Sequence, residues 1–214
     1  MSSPSKPVFG SPFWDERYSQ PGFAFGAAPN VFLTEQAHRF RPGQRAFVPG
    51  DGEGRNGVFL AEQGLDVVTL DLSAVGAEKA RTLARSRGVT IDARQGNMVE
   101  PGDLPRGPFD VIAVIFVHLP AKLRSKAHHL LAERLAPGGL LLIEGYTPRQ
   151  IELRAQGSVG GPPDPEMLYE AEALRGDFAG LTTLMLEELE VELAEGKRHT
   201  GRSAVLRGVF QREA

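Results

Sequence analysis

The chain has 214 residues, enough for one domain with a substantial core. Its 24 basic and 27 acidic residues give a net charge of −3, which argues against a general binder of nucleic acids or anionic membranes. It contains no cysteine, which excludes disulfides, cysteine-based zinc sites, iron–sulfur clusters and thiol nucleophiles. A small anionic substrate held by a few arginines remains compatible with this composition.

The N-terminal part of the chain has an unusual composition. Residues 1–12 are rich in Ser and Pro and carry no apolar signal segment, so we expect a flexible N-terminus and a cytoplasmic protein. The longest apolar run, Val111–Val117, is too short to span a bilayer, and no membrane partner is expected. We expect residues 13–214 to form one domain, in which the aromatic-rich residues 13–40 cap the core and either only pack on it or also close over a ligand.

From residue 45 onward, strand-like and helix-like segments alternate. The strand-like segments are Arg45–Pro49, Asp66–Leu70, Thr90–Arg94, Phe109–Phe116 and Leu140–Gly145. The helix-like segments between them are Arg55–Gln63, Ala74–Arg87 and Lys122–Leu135. This alternation predicts a mostly parallel sheet with helices on both faces.

The C-terminal part follows a different pattern. Glu166–Arg175 is predicted to be a helix. Glu187–Leu193 and Ser203–Arg212 alternate between apolar and polar residues, which predicts an antiparallel hairpin. The basic segment Glu195–Arg202 would link its two strands. The prediction is therefore an α/β protein with a Rossmann-like, mostly parallel seven-stranded sheet that ends in an antiparallel hairpin.

A glycine-rich turn follows the first predicted strand. Gly50, Gly52 and Gly54 precede a predicted helix, and glycines let the backbone approach a ligand while the helix N-terminus favours negative charge. Asp71 ends the second strand, where an acidic side chain can accept hydrogen bonds from both ribose hydroxyls. Ligands of such folds bind at the carboxyl ends of the strands, so this turn is the predicted cofactor site, unless it is only a tight turn without a ligand.

Two cofactors fit the turn. The G-x-G-x-G pattern that begins at Gly50 is of the methyltransferase type, whereas the G-x-G-x-x-G pattern that begins at Gly52 is formally a dinucleotide fingerprint. Position favours the first pattern, because the strand ends at Pro49 and the fingerprint would begin two residues late. The Asn97–Met98 pair after the third strand, placed to hold adenine, also favours S-adenosylmethionine. An NAD-dependent oxidoreductase is the less favoured alternative.

The sequence resembles the class I S-adenosylmethionine-dependent methyltransferases, and within them the bacterial tellurite-resistance and thiopurine-like group. The segments that carry the resemblance are WDERY (Trp14–Tyr18), FGAAPNVFL (Phe25–Leu33), GEGRNGVFLAEQG (Gly52–Gly64), VTLDLSAVGAEKA (Val68–Ala80), FVHLP (Phe116–Pro120), LAPGGLLLIEGYTPRQ (Leu135–Gln150) and EGKRHTGRSAV (Glu195–Val205). The chain departs from the pattern at Val48–Pro49, where many class I enzymes have an acidic residue, and at Ala28, where the group often has one.

The resemblance implies transfer of a methyl group to a small-molecule acceptor, such as tellurite, selenite or a thiol, with S-adenosylhomocysteine as the second product. It also implies a set of residues that contact the cofactor. These are Trp14, Tyr18, Gly50, Asp51, Gly52, Asn56, Asp71, Leu72, Asn97, Met98, Phe116 and His118.

A histidine in the basic C-terminal segment is the predicted base. In similar tellurite-type enzymes a His–Arg cluster deprotonates and orients the oxyanion, so the resemblance assigns His199 as the base and Arg198 and Arg202 as its partners. The alternative interpretation is a solvated basic hairpin tip. No metal site is expected, since the adjacent His128 and His129 would point to different faces of a helix. A protein that binds the cofactor without catalysis is the second functional hypothesis.

Overall fold

The computed structural model describes residues 10–214; most of the predicted flexible N-terminus, residues 1–9, lies outside the described residues. Within residues 10–214 one sheet has seven strands: β1 (Arg45–Pro49), β2 (Asp66–Asp71), β3 (Asp92–Gln95), β4 (Phe109–Ile115), β5 (Leu135–Tyr146), β6 (Thr182–Glu195) and β7 (His199–Gln211). The same residues form seven α-helices: α1 (Ser11–Tyr18), α2 (Val31–Glu35), α3 (Arg55–Glu62), α4 (Ala74–Ser86), α5 (Ala121–Ala132), α6 (Arg149–Ala155) and α7 (Ala171–Asp177).

The strands are ordered β3-β2-β1-β4-β5-β7-β6. The first five strands pair in parallel, while β7 runs antiparallel to both β5 and β6. The predicted mostly parallel sheet with an antiparallel C-terminal hairpin is therefore confirmed. The carboxyl ends of β1, β2 and β4 meet at one edge of the sheet, where ligands of such folds bind.

Successive side chains of the central strands point to opposite faces of the sheet and pack into two apolar cores, one on each face. In β1, Ala46 and Val48 join one core together with Leu60 of α3, while Phe47 joins the other together with Leu131 of α5. Because both faces are covered, the central strands are apolar along most of their length. Burial on both faces fixes the strand register and holds the strand ends in place.

The N-terminal segment is tied down over the carboxyl ends of β1 and β2. Ser73 Oγ, at the N-cap of α4, donates a hydrogen bond of 2.5 Å to Asp15 of α1. Lys79 Nζ donates to the backbone carbonyls of Gln20 and Gly22. The N–H of Ala24 donates to Glu53 at 2.6 Å. These bonds seat the aromatic-rich segment on the glycine-rich turn.

Several element boundaries differ from the sequence predictions. The predicted helix Glu166–Arg175 is split into a 3-10 turn, Pro165–Met167, and α7, because the N–H of Tyr169 donates to the carbonyl of Tyr146 instead of continuing a helix. The predicted helix Lys122–Leu135 ends at Ala132, because Leu135 already pairs with Phe109 and starts β5. Helix α6 was not predicted from the sequence.

Strand β6 lies at one edge of the sheet and is rich in glutamate. The side chains of Glu187, Glu188, Glu190 and Glu192 are exposed on it, and β7 shields only its inner edge. The predicted strand Glu187–Leu193 is thus a part of a longer strand that reaches Glu195 at the tip of the hairpin.

Gly54 offers a test of how tightly the turn packs. Its φ of +93° is unfavourable for other residues, and an added Cβ would lie 2.5 Å from the Cβ of Ala80. We expect Gly54→Ala to lower the free energy of unfolding by about 2–4 kcal/mol through backbone strain and overpacking. Urea denaturation measures the change. As a control, Gly176→Ala places its methyl group in open space on α7 and should raise stability by about 0.5–1 kcal/mol.

Candidate active site

The glycine-rich turn between β1 and α3 is built from left-handed backbone. Gly50, Gly52 and Gly54 have φ values of +67°, +59° and +93°. A Cβ on Gly50 would lie 2.6 Å from Val117, and one on Gly52 would lie 2.5 Å from the hydroxyl of Tyr18. Glycine is therefore required here both by conformation and by space. The turn leaves its backbone open for a close approach to a ligand.

Asp71 connects the end of β2 to this turn. Its Oδ2 accepts a hydrogen bond of 2.8 Å from the N–H of Gly52, and its Oδ1 accepts one of 2.9 Å from the N–H of Ser73. Burial raises the pKa of Asp71 to about 6, and these backbone hydrogen bonds oppose the shift. Each carboxylate oxygen still has a second lone pair for a ligand donor such as a ribose hydroxyl.

Asp51 lies inside the turn and is turned toward α3. Its carboxylate accepts hydrogen bonds from the N–H groups of Asn56 at 3.3 Å and Gly57 at 3.0 Å, which satisfies donors in the first turn of the helix. Burial raises the pKa of Asp51 to about 7. The side chain therefore supports the turn while it also borders the space beside it.

A cavity of about 450 Å³ opens at the carboxyl ends of the strands, within the range of small-molecule sites. Its walls come from α1, the glycine-rich turn, the ends of β2, β4 and β5, helix α6, the loop at residues 159–163 and the hairpin tip. The predicted residues that line it are Trp14, Tyr18, Gly50, Asp51, Asn56, Asp71, Leu72, Asn97, Met98, Phe116, His118, Arg198 and His199.

His199 lies in an aromatic part of this cavity. Its ring centroid is 4.4 Å from that of Phe116 and 4.7 Å from that of Phe25, and the ring of Tyr146 meets it edge-on. Phe116 has a φ of +54°, a strained backbone conformation that is often found at functional sites. Burial lowers the pKa of His199, although Glu195 opposes this shift. The imidazole is therefore neutral at pH 7.

Glu195 lies beside His199 and is buried with several partners. Its Oε2 is 2.7 Å from Nη2 of Arg55 and 3.8 Å from Nδ1 of His199. Its Oε1 accepts hydrogen bonds from the side chain of Asn30 and the N–H of Val31. These partners and His199 hold the pKa of Glu195 down at about 2 despite burial, so the carboxylate is ionised.

His118 is held as a neutral imidazole by two backbone groups. Nδ1 lies 2.9 Å from the carbonyl of Met167, to which it must donate, and Nε2 accepts from the N–H of Tyr146 at 3.2 Å. Burial lowers the pKa of His118 to about 4. Because both nitrogens are occupied, His118 forms a wall of the cavity and has no lone pair free for base catalysis.

The chain is similar to known methyltransferases in sequence and fold. Residues 49–139 match the sequence profile of a family described as Methyltransferase domain. The ribosomal protein L11 methyltransferase of Ralstonia nicotianae is 29% identical over 137 residues, which cover 62% of this chain and 43% of that protein. The chain thus spans less than half the length of the curated relatives it matches.

Two solved structures extend the likeness of the fold over most of the chain. TehB from Haemophilus influenzae has a TM-score of 0.69 at 15% identity, with 95% of this chain and 67% of that one covered. Magnesium protoporphyrin IX methyltransferase (ChlM) from Synechocystis PCC 6803, with bound S-adenosylhomocysteine, has a TM-score of 0.64 at 16% identity, with 85% and 80% covered.

Residues 49–139 thus resemble a methyltransferase domain, and the sheet has the Rossmann-like fold of such proteins. The residues at the turn fit S-adenosylmethionine. The glycine backbone leaves room that a Cβ would fill, and the buried Asp51 and the half-buried Asp71 suit a ligand with a positive charge. The antiparallel placement of β7 between β5 and β6 also agrees with the methyltransferase interpretation over the dinucleotide one.

Two predicted residues of the methyltransferase domain lie outside the cavity wall. Gly52 lies under Tyr18, and its N–H is used by Asp71. The prediction that Arg202 faces the acceptor is wrong: its side chain is 68% exposed and forms an ion pair with Glu190 across the hairpin. The basic segment is not a free linker, since β7 begins at His199 and alternate side chains of a strand point to opposite faces.

The structure adds residues to the candidate site that the sequence analysis did not identify. Arg55, Glu195 and Asn30 form the buried polar group behind His199, and Arg17 and Arg154 line the cavity near its mouth. Arg55 and Asn30 lie within segments that resemble methyltransferases, but nothing in the sequence indicates that the two residues are in contact with the same carboxylate.

No helix of the described residues is long and apolar enough to cross a membrane. Residues 10–214 also hold no group of three or more side chains suited to a metal ion.

The neutral state of His118 has a consequence for stability. An unfolded His gains a proton near pH 6.5, whereas His118 in the folded protein gains one only near pH 4. The folded state therefore loses stability as pH falls from 6.5 to 4. As pH falls over this range, we expect the wild type to lose up to about 3 kcal/mol of unfolding free energy relative to His118→Gln, which lacks the imidazole. Urea denaturation at pH 7.5, 6, 5 and 4 measures it, and a constant difference would contradict the assignment.

Proposed function

We propose that this protein transfers a methyl group from S-adenosylmethionine to a small-molecule acceptor. The observation that carries the proposal is one cavity that joins Asp71 and the glycine-rich turn to the buried, neutral His199. The first part suits the cofactor, and the second suits an acceptor that must lose a proton. A protein that only binds the cofactor would have no need for a base in this position.

The chemistry supplied by bound S-adenosylmethionine is an electrophilic methyl group on a positively charged sulfur. The walls of the cavity hold the acceptor in line with that group, and such orientation supplies several kcal/mol of the barrier. The cap residues Trp14, Tyr18 and Phe25 cover the cavity and exclude water. The main task of the protein is thus alignment.

His199 removes the proton from an acceptor that arrives protonated. Its imidazole is neutral, and Nδ1 is buried and faces the ionised Glu195, so Nδ1 carries the proton and Nε2 has the lone pair. Once protonated, the ring lies 3.8 Å from the ionised Glu195, which stabilises the new positive charge. The pair is longer than a hydrogen bond, as is common in a site without its substrate.

The acceptor is the least defined part of the proposal. The relatives' names give ribosomal protein L11 and magnesium protoporphyrin IX as their substrates, whereas the cavity of this chain favours a compact ligand. Tellurite, selenite and thiols follow from the resemblance to the tellurite-resistance group. A screen of acceptors for formation of S-adenosylhomocysteine separates an enzyme from a binding protein. The cytoplasmic location and the absence of a nucleic-acid partner stay predictions from composition.

Asp71 tests the cofactor site. We expect Asp71→Ala to raise the dissociation constant of S-adenosylhomocysteine at least tenfold, because hydrogen bonds to an ionised partner contribute roughly 1.5–3 kcal/mol each. Calorimetry measures the binding, and thermal unfolding checks that the variant is folded. Asp66→Ala, at the opposite end of the same strand, is the matched control and should bind as wild type does. Equal affinity of the two variants for S-adenosylhomocysteine would contradict the assignment of Asp71 to the cofactor site.

His199 tests the chemical step. With an acceptor found in the screen, His199→Ala should lower kcat by roughly 10²- to 10⁴-fold and leave the affinity for S-adenosylhomocysteine unchanged, because a base acts only in the chemical step. His129→Ala, exposed on α5, is the control. A wild-type rate in His199→Ala would show that the acceptor arrives deprotonated or that another group removes its proton.

A further inference from the structure

Three arginines surround the mouth of the cavity. They come from three separate parts of the chain: Arg17 from α1, Arg154 from α6 and Arg198 from the tip of the hairpin between β6 and β7. These segments are far apart in the sequence, so the tertiary structure brings the three arginines together at one opening.

None of these three arginines has an acidic partner within residues 10–214. The guanidinium of Arg17 stacks instead on the rings of Phe13 and Trp14, at 4.5 and 5.0 Å from their centroids. Two other charged groups in the wall form ion pairs, Arg55 with Glu195 and Glu53 with Lys79, while Asp51 and Asp71 accept hydrogen bonds from backbone N–H groups. The mouth therefore carries three positive charges that no ion pair among residues 10–214 neutralises.

Two of the arginines, Arg17 and Arg198, also repel each other. Arg17 is close enough to Arg198 for its pKa to be lowered by burial and by that second guanidinium. Like charges held together without a counter-charge destabilise the free protein, and a bound anion would remove that cost. Guanidinium groups match the geometry of carboxylates and phosphates through paired N–H donors.

The inner part of the cavity has a different character. Around His199 the wall consists of the rings of Phe25, Phe116 and Tyr146, and the hydroxyl of Tyr146 is buried without a hydrogen-bond partner in the described residues. Arg55, which lies close to this part of the cavity, is already paired with Glu195. A small inorganic oxyanion at this position would lie among aromatic rings.

On the basis of the proposed function, we infer that the acceptor is an organic anion: its carboxylate or phosphate binds Arg17, Arg154 and Arg198, and its apolar part lies against the rings beside His199. The group to be methylated is then directed toward His199. The arginines thus determine which compounds enter and how they are oriented.

Trp14 provides the measurement, because it is the only tryptophan of the chain and lines the cavity. The protein is saturated with S-adenosylhomocysteine, and its fluorescence is followed during titration with benzoate. Benzyl alcohol is the neutral ligand of similar shape, and inorganic phosphate and selenite are anions without an apolar part. We expect saturable binding of benzoate, with at least fivefold weaker binding of the other three.

Charge-removing variants complete the test. Arg154→Met and Arg198→Met should each weaken benzoate binding at least fivefold and leave benzyl alcohol unaffected. Arg202→Met, on the same hairpin but paired with Glu190 outside the cavity, should bind benzoate as wild type does. Unsaturable benzoate binding, or equal affinity in all three variants, would overturn the inference.

The ligand series separates the other outcomes. If selenite binds as tightly as benzoate and loses affinity in the same variants, the site accepts an inorganic oxyanion and the organic part of the inference is wrong. If S-adenosylhomocysteine itself fails to bind, the proposed function fails before the arginines are tested. Binding of S-adenosylhomocysteine without any binding of benzoate leaves the proposed function standing and refutes only this inference.

Discussion

The arrangement of the site depends on one buried carboxylate. Glu195 is removed from water at the end of β6, and a buried charge is stable only when paired and hydrogen-bonded. Arg55 supplies the opposite charge from α3, and Asn30 supplies a donor from the N-terminal segment. Asn30 also donates to Glu144 of β5, which in turn binds Arg207 of β7. Five separate parts of the chain must therefore meet before this group can be buried.

This constraint explains why the aromatic segment, the glycine-rich turn and the hairpin form one cavity. Each contributes a member of the buried polar group, so none can move far without leaving a charge unpaired. The hairpin tip adds a steric constraint, since the backbone of Gly196 approaches Phe25 and Gly26 too closely for a side chain. The cavity that results has acidic side chains at the cofactor end and arginines at its mouth.

The sheet could be predicted from the sequence because its strands are apolar on both faces and are separated by clear helix signals. The turn at Gly50 and the position of Asp71 followed from the same pattern, since the ends of parallel strands meet at one edge. Contacts between distant segments could not be predicted in this way. Glu195 and Arg55 are 140 positions apart, and the local sequence around each residue does not indicate that its side chain is buried. Arg202 was misplaced because the length of the strand, and hence the side it faces, was not visible in a basic segment.

The glutamates along β6 have a consequence for how this molecule behaves at high concentration. An edge strand exposes unpaired backbone groups that can add a strand from another molecule and so begin aggregation. The negative side chains Glu187, Glu188 and Glu192 would lie close to those of a second copy, and their repulsion opposes such growth of the sheet. This protection depends on ionised carboxylates and is weakened by salt. Acidic, salty solutions are therefore the conditions in which molecules of this protein would join edge to edge.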